Sequence, residues 1–96
     1  MKINLYEGDI PSNIKIKSTI AIDSETMGLN PKRDKLCLVQ ISNGDQICHL
    51  IKINLKSKKP INLIKILKNN KIQKIFHYAR FDVAVFKYNF KINIKN

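Results

Sequence analysis

Asp23 and Glu25 stand two residues apart at the end of the run STIAIDSE, Ser18 to Glu25, and that spacing can do chemistry. Residues two apart on a β-strand share a face and lie about 6 to 7 Å apart along it, so both carboxylates can reach a common ion. Held that close, they repel each other and raise each other's pKa unless a cation binds between them. Oxygen-only ligands favour Mg²⁺ or Mn²⁺. A pair of such ions about 3.5 to 4 Å apart can activate a water and stabilise the leaving oxygen of a phosphodiester. The chemistry this implies is in-line hydrolysis. A bare Asp-x-Glu also arises by chance, and what adds meaning here is its place at a strand end before a Gly-containing loop.

Asp82 is the third acid of interest, in a chain with only seven acidic residues. It reads as a ligand if the fold carries it to the same edge as the other two, and equally as a first-turn acid favourable to a helix dipole. His77 can serve as metal ligand or general base, although a His at a strand end more often makes hydrogen bonds or touches substrate. Tyr78 and Phe81 read first as core and second as flat surfaces flanking a nucleotide.

The elements that must position these residues follow from periodicity. In STIAIDSE, Ile20 and Ile22 point to one face while Thr19, Ala21, Asp23 and Glu25 point to the other, which is a strand ending in acids. Met27 to Asp34 gathers Gly, Asn, Pro and charge and reads as a loop. Two apolar runs follow, Leu36 to Ser42 and Gln46 to Ile51, joined by Asn43-Gly44-Asp45. Asn-Gly between two such runs predicts a type I′ hairpin, with positive φ at both central residues. Pro60 stands at a first helical position ahead of Leu63, Ile64 and Leu67, with Asn69 and Asn70 as terminators. Lys71 to His77 predicts a short strand centred on Ile72 and Ile75, and Phe81, Ala84, Val85 and Tyr88 recur as one face of a second helix. The expected order is β-β-β-α-β-α, an α/β fold whose antiparallel half joins a strand returning in parallel through a helical crossover. In such a sheet the site lies at the carboxyl ends of the parallel strands, where Asp23, Glu25 and Asp82 would meet.

A chain of 96 residues is one domain at most. No stretch approaches the roughly 20 apolar residues of a membrane span, and MKINLYEGDIP lacks a signal peptide's apolar core, so the expectation is a cytoplasmic protein. Cys37 and Cys48 have no metal-ligand spacing and are expected to be buried thiols. The formal charge of +11 suits a nucleic-acid partner, but it is spread along a chain rich in Lys, Ile and Asn, so it weighs little by itself.

The two stretches AIDSETMGLNPKRDKLCLVQIS and KIFHYARFD resemble the first and second motifs of the ribonuclease D branch of the DEDD 3′-to-5′ exonucleases. The opening NLYEGDIP is similar to the start of short bacterial members, so the resemblance covers essentially the whole chain. It implies a ribonuclease H-like fold and two-metal hydrolysis from a 3′ end, with RNA expected before DNA and single-stranded RNA 3′ ends as partners. Asp23 would then bridge both ions, Glu25 serve one and Asp82 hold the other. Thr26, Met27, Gly28 and Leu29 would line the terminal nucleotide's pocket, His77, Tyr78 and Phe81 its other side, and Gln40 would assist from the second strand. Many relatives carry Asn where this sequence has Tyr78. Members continue into a fifth strand and a helix whose third motif sets a Tyr or His before a fourth acid, and here no acid follows Asp82. Residues 1–96 are therefore expected to form a partial exonuclease domain, a truncated ribonuclease H-like mixed sheet. Such a chain would be a weak enzyme, an inactive remnant, or half of a site completed by a second chain. A basic binding module without chemistry is the reading from another class. The scarce acids beside the expected groove argue against it.

Overall fold

The computed structural model describes residues 2–28, 35–76 and 79–94, with side chains from 81 onward in the last segment. Its elements are β1 (Lys2–Glu7), β2 (Thr19–Thr26), β3 (Leu36–Ser42), β4 (Ile47–Lys52), α1 (Ile61–Lys68), β5 (Gln73–Phe76) and α2 (Ala79–Phe90). They form one five-stranded mixed sheet in the order β1-β4-β3-β2-β5. β2, β3 and β4 run as an antiparallel meander, while β5 joins β2 and β1 joins β4 in parallel.

The α/β mixed sheet is the expected one, with one strand more. β1 escapes periodicity because its alternation is inverted. Ile3 and Leu5 are 62% and 58% exposed, whereas Asn4 and Tyr6 are half-buried on the helix side. There Tyr6 stacks on the buried His49, ring centroids 5.9 Å apart.

Both helices cover one face of the sheet. On that face Ile20, Ile22, Val39, Ile41 and Ile51 form a core with Leu63 and Leu67 of α1 and Val85 and Phe86 of α2. The opposite face carries Ala21, Asp23, Glu25 and Gln40, all exposed, as the alternation in STIAIDSE requires.

Four local expectations change. Only Gly44 has positive φ (82°) in the β3–β4 connection, so the turn is not type I′. The Asn43 side chain is committed elsewhere, accepting the Lys17 N–H and donating to the Lys15 carbonyl, both at 2.9 Å. Pro60 precedes the first residue of α1 and supplies no side-chain cap. That cap comes from Asp9, whose carboxylate accepts the N–H groups of Asn62 and Leu63, both at 2.9 Å. In β5 the parallel register Ile20↔Lys74 and Ile22↔Phe76 turns Lys74 inward and leaves Ile75 54% exposed. Lys74 lays its stem on the core and its Nζ donates to the Asn69 carbonyl. In α2 the buried stripe runs through Asp82, Val85, Phe86 and Phe90, with Phe86 and Phe90 stacked at 5.7 Å. Tyr88, expected on the apolar face, is turned outward at 37% exposure. Of the two thiols, Cys48 is buried and Cys37 half-buried. Among the described residues no helix is long and apolar enough to cross a membrane.

Candidate functional site

β2 ends in Asp23-Ser24-Glu25-Thr26, and its pleat sends these side chains alternately to the two faces of the sheet. Asp23 and Glu25 stand exposed on the face without helices, opposite Gln40 and Leu38 of β3. Asp23 Oδ1 accepts the Ser24 N–H at 2.9 Å. The register shifts between Glu25 and Thr26, and a bulge of this kind re-aims side chains at a strand end. Beside Asp23, a groove of about 300 Å³ is bounded by Ala21, Gln40, Ser42, Ile75 and Phe76.

Asp82 reaches the same strand end from the helix side. It sits in the first turn of α2, only 2% exposed, and its Oδ1 accepts a hydrogen bond from the Ser24 hydroxyl. Its Oδ2 is buried without a hydrogen-bond partner among the described residues. Burial pushes the Asp82 carboxyl above the usual carboxylate range. The Ser24 hydroxyl pulls it back, and the negative charge of Asp23 pushes it up again. A buried acceptor without a donor costs about 1 to 3 kcal/mol, more when charged, and either a proton or a cation relieves it.

The backbone thus carries Asp23, Glu25 and Asp82 to one end of β2, while their side chains stand on both of its faces. Among the described residues no three carboxylate, imidazole or thiol groups lie close enough together to hold one ion. The donor chemistry nonetheless fits a hard divalent cation, being oxygen-only with one orphaned carboxylate oxygen. Ser24 is the residue that sequence reasoning missed. Its signal was its place in line with Ile20 and Ile22, a hydroxyl where the inward face of the strand runs out of apolar residues.

The expected substrate-side residues divide. Thr26 Oγ1 donates to the Gly28 carbonyl, and the Met27 N–H donates to the Lys35 carbonyl at 2.9 Å, which together shape the turn after the acids. The Met27 side chain is 74% exposed. Gln40 shares the groove with Asp23, whereas Phe81 packs against the core. Leu29, His77 and Tyr78 lie outside the described residues.

Comparison with known proteins identifies the family. A family model described as 3′–5′ exonuclease matches residues 8–96. No curated protein matches the sequence. Among solved structures, the chain is similar to Brucella melitensis NrnC with bound Mg²⁺, at 45% identity and a TM-score of 0.89, over 99% of this chain and 48% of that one. The same nuclease bound to pGG gives 45% identity and a TM-score of 0.89, over 99% and 47%. The chain therefore spans about half the length of the Brucella nuclease. Escherichia coli RNase D, an exoribonuclease involved in structured RNA processing, is 26% identical with a TM-score of 0.64, over 80% of this chain and 20% of that one. The chain belongs to the 3′–5′ exonuclease family, and its mixed sheet is of the RNase D kind.

Proposed function

We propose that this chain carries the metal-binding side of an exonuclease site that hydrolyses phosphodiesters from the 3′ end of RNA, with Asp23, Glu25 and Asp82 as the cation ligands. The observation that carries the reading is the buried, unpaired Asp82 Oδ2 at the strand end that also bears Asp23 and Glu25. Bound there, Mg²⁺ or Mn²⁺, two ions in the complete site, would supply an activated water and charge stabilisation at the leaving oxygen. Ser24 positions Asp82 by fixing Oδ1, which leaves Oδ2 as the free donor. The turn from Thr26 to Gly28 forms the wall beside the terminal nucleotide, and Gln40 presents an amide next to Asp23. Two structures of one relative, the Brucella nuclease with Mg²⁺ and the same nuclease with pGG, support a divalent cation and an RNA substrate.

A second reading has its own observation. The three acids do not converge on one cation among the described residues, and the chain spans about half the length of the Brucella nuclease. On this reading the chain is half of a site, inactive alone and completed by a second polypeptide. General-base assistance alone is worth about 10² to 10⁴ in rate, so the incomplete site would be slow by at least that factor.

The test is pGG incubated with the chain and Mg²⁺ or Mn²⁺ in H₂¹⁸O. Hydrolysis gives 5′-GMP from each half, with ¹⁸O on the phosphate of the released 3′ nucleotide only. The primary reading expects that product and its loss in Asp23→Ala. The half-site reading expects none until a second chain is added.

A further inference from the structure

α1 turns its two sides to different surroundings. Leu63 and Leu67 are buried in the core, while Ile61, Ile64, Lys65 and Lys68, at helical spacing, line a groove of about 390 Å³ on its outer side together with Lys59 and Asn69. Ile61 is 54% exposed, Ile64 is half-buried and the three lysines are exposed. Among the described residues no carboxylate and no aromatic ring lines the groove, and none of its lysines makes a salt bridge. Lys65 and Lys68 suit the carboxyl end of the helix dipole, which accounts for their sign. It does not account for an isoleucine shown to solvent beside them.

The groove is fixed at both ends and lies apart from the acids. Pro60 is fully buried and Asp9 caps the first turn of α1, so the wall bearing Lys59 and Ile61 is held in place. Asn69 closes the last turn, its Oδ1 accepting the Lys71 N–H at 2.9 Å and its carbonyl the Ile72 N–H at 3.2 Å. The chain then enters β5, where the Gln73 N–H donates to the Ser18 carbonyl at 2.7 Å, just ahead of β2. Lys65 and Lys68 therefore lie toward the start of β2, the opposite end from Asp23 and Glu25. An occupant can seat there without covering the acids.

Two isoleucines ringed by cations call for a surface of aliphatic side chains and carboxylates at matching helical spacing. We infer that this groove docks an acidic amphipathic helix of a partner protein, its Leu or Ile side chains on Ile61 and Ile64 and its Asp or Glu side chains on the lysines. A second copy of the chain is the wrong complement. It carries seven Asp and Glu against eighteen Lys and Arg, and of the seven, Asp23, Glu25 and Asp82 stand at the site and Asp9 caps α1. Single-stranded nucleic acid finds no ring here to stack on, and a flat lipid surface does not fill a concave groove. Docking at α1 is independent of the exonuclease reading.

The probe is a fluorescein-labelled helical peptide of about 18 residues, with Leu at every third and fourth position and Glu and Ala at the others. It is titrated by anisotropy beside its scramble of the same composition, in about 0.15 M salt, where exposed charges more than about 8 Å apart are screened. The helical peptide is expected to bind about tenfold or more tighter than the scramble. Ile61→Ser should weaken it by about fivefold. Lys65→Glu and Lys68→Glu should each weaken it by about fivefold or more, and Lys87→Glu, at an exposed lysine of α2, by less than about twofold. The chain with both α1 lysines reversed should bind a peptide with Lys in place of Glu, which also shows that it is folded. A scramble bound as tightly as the helical peptide, or equal weakening by Lys87→Glu and the α1 substitutions, assigns the attraction to net charge and overturns the inference. No binding of the helical peptide overturns it too, as does loss of phosphatidylglycerol vesicles or heptaadenylate, but not of the peptide, on the α1 substitutions.

Discussion

Replacing Asp82 by Asn should change the chain's stability in opposite directions depending on whether a divalent cation is present. The wild-type carboxylate is 2% exposed, with Oδ1 satisfied by Ser24 and Oδ2 by no group among the described residues. An unsatisfied buried acceptor costs about 1 to 3 kcal/mol, more when ionised. Asn keeps the shape and the oxygen that faces Ser24, removes the charge, and sets an amide N–H in the field of Asp23. In EDTA at neutral pH, Asp82→Asn should therefore be more stable than wild type by about 1 kcal/mol, or about 4 to 8 °C in Tm for a chain of this size. With Mg²⁺ at 100 times its Kd the wild type gains about 2.7 kcal/mol by mass action, and the variant, short of a ligand, gains much less. The order of the two melting temperatures then reverses.

The pH dependence carries the same sign. The folded chain holds the Asp82 proton more tightly than the unfolded chain, because folding raises this pKa. Its stabilising contribution is present in full below the unfolded carboxylate pKa and is lost as pH rises through the folded value. The gap between variant and wild type in EDTA should open across that window. Thermal melts followed by circular dichroism, in EDTA and in Mg²⁺ across a pH series, read all of this. A variant less stable than wild type in EDTA at pH 7, or equal stabilisation of both by Mg²⁺, would refute the reasoning.

Asp9→Ala should cost about 2 to 4 kcal/mol in urea denaturation, because its buried carboxylate accepts the N–H groups of Ile10, Asn62 and Leu63 at 2.8 to 2.9 Å and is the cap of α1. A loss below about 1 kcal/mol would mean that α1 does not depend on it. Gly8→Ala should cost about 1 to 2 kcal/mol, since φ is +82° and an added Cβ would lie 3.0 Å from Lys58 Cδ. Gly44→Ala has the same φ but open space around it, so it should cost less by the same assay, and equal losses would assign the whole effect to backbone conformation.

Much of the fold was legible because its strands bury one face. The alternation of Ile20 and Ile22 with Ala21 and Asp23 marked β2 and placed both its acids on the face opposite the apolar one. Where burial departs from apolarity, periodicity misleads. β1 shows Ile3 and Leu5 to solvent, and β5 buries Lys74 while exposing Ile75, because parallel pairing with a neighbour, rather than local composition, decides which side faces the helices. Asp9 was invisible as a cap, since it lies 53 residues from Asn62 in sequence. At the site, the acids could be named from spacing and from the family resemblance. Their distribution over two faces of β2, with Ser24 holding Asp82 from behind, depends on how α2 docks and has no sequence period to announce it.

The most direct test of the central claim is degradation of a 5′-labelled single-stranded RNA by the purified chain in Mg²⁺ or Mn²⁺, run beside Asp23→Ala and an equivalent DNA. The account predicts a ladder that shortens from the 3′ end, requires the divalent ion and disappears in Asp23→Ala. A ladder that survives that substitution, or products released from the 5′ end or from internal positions, would contradict it.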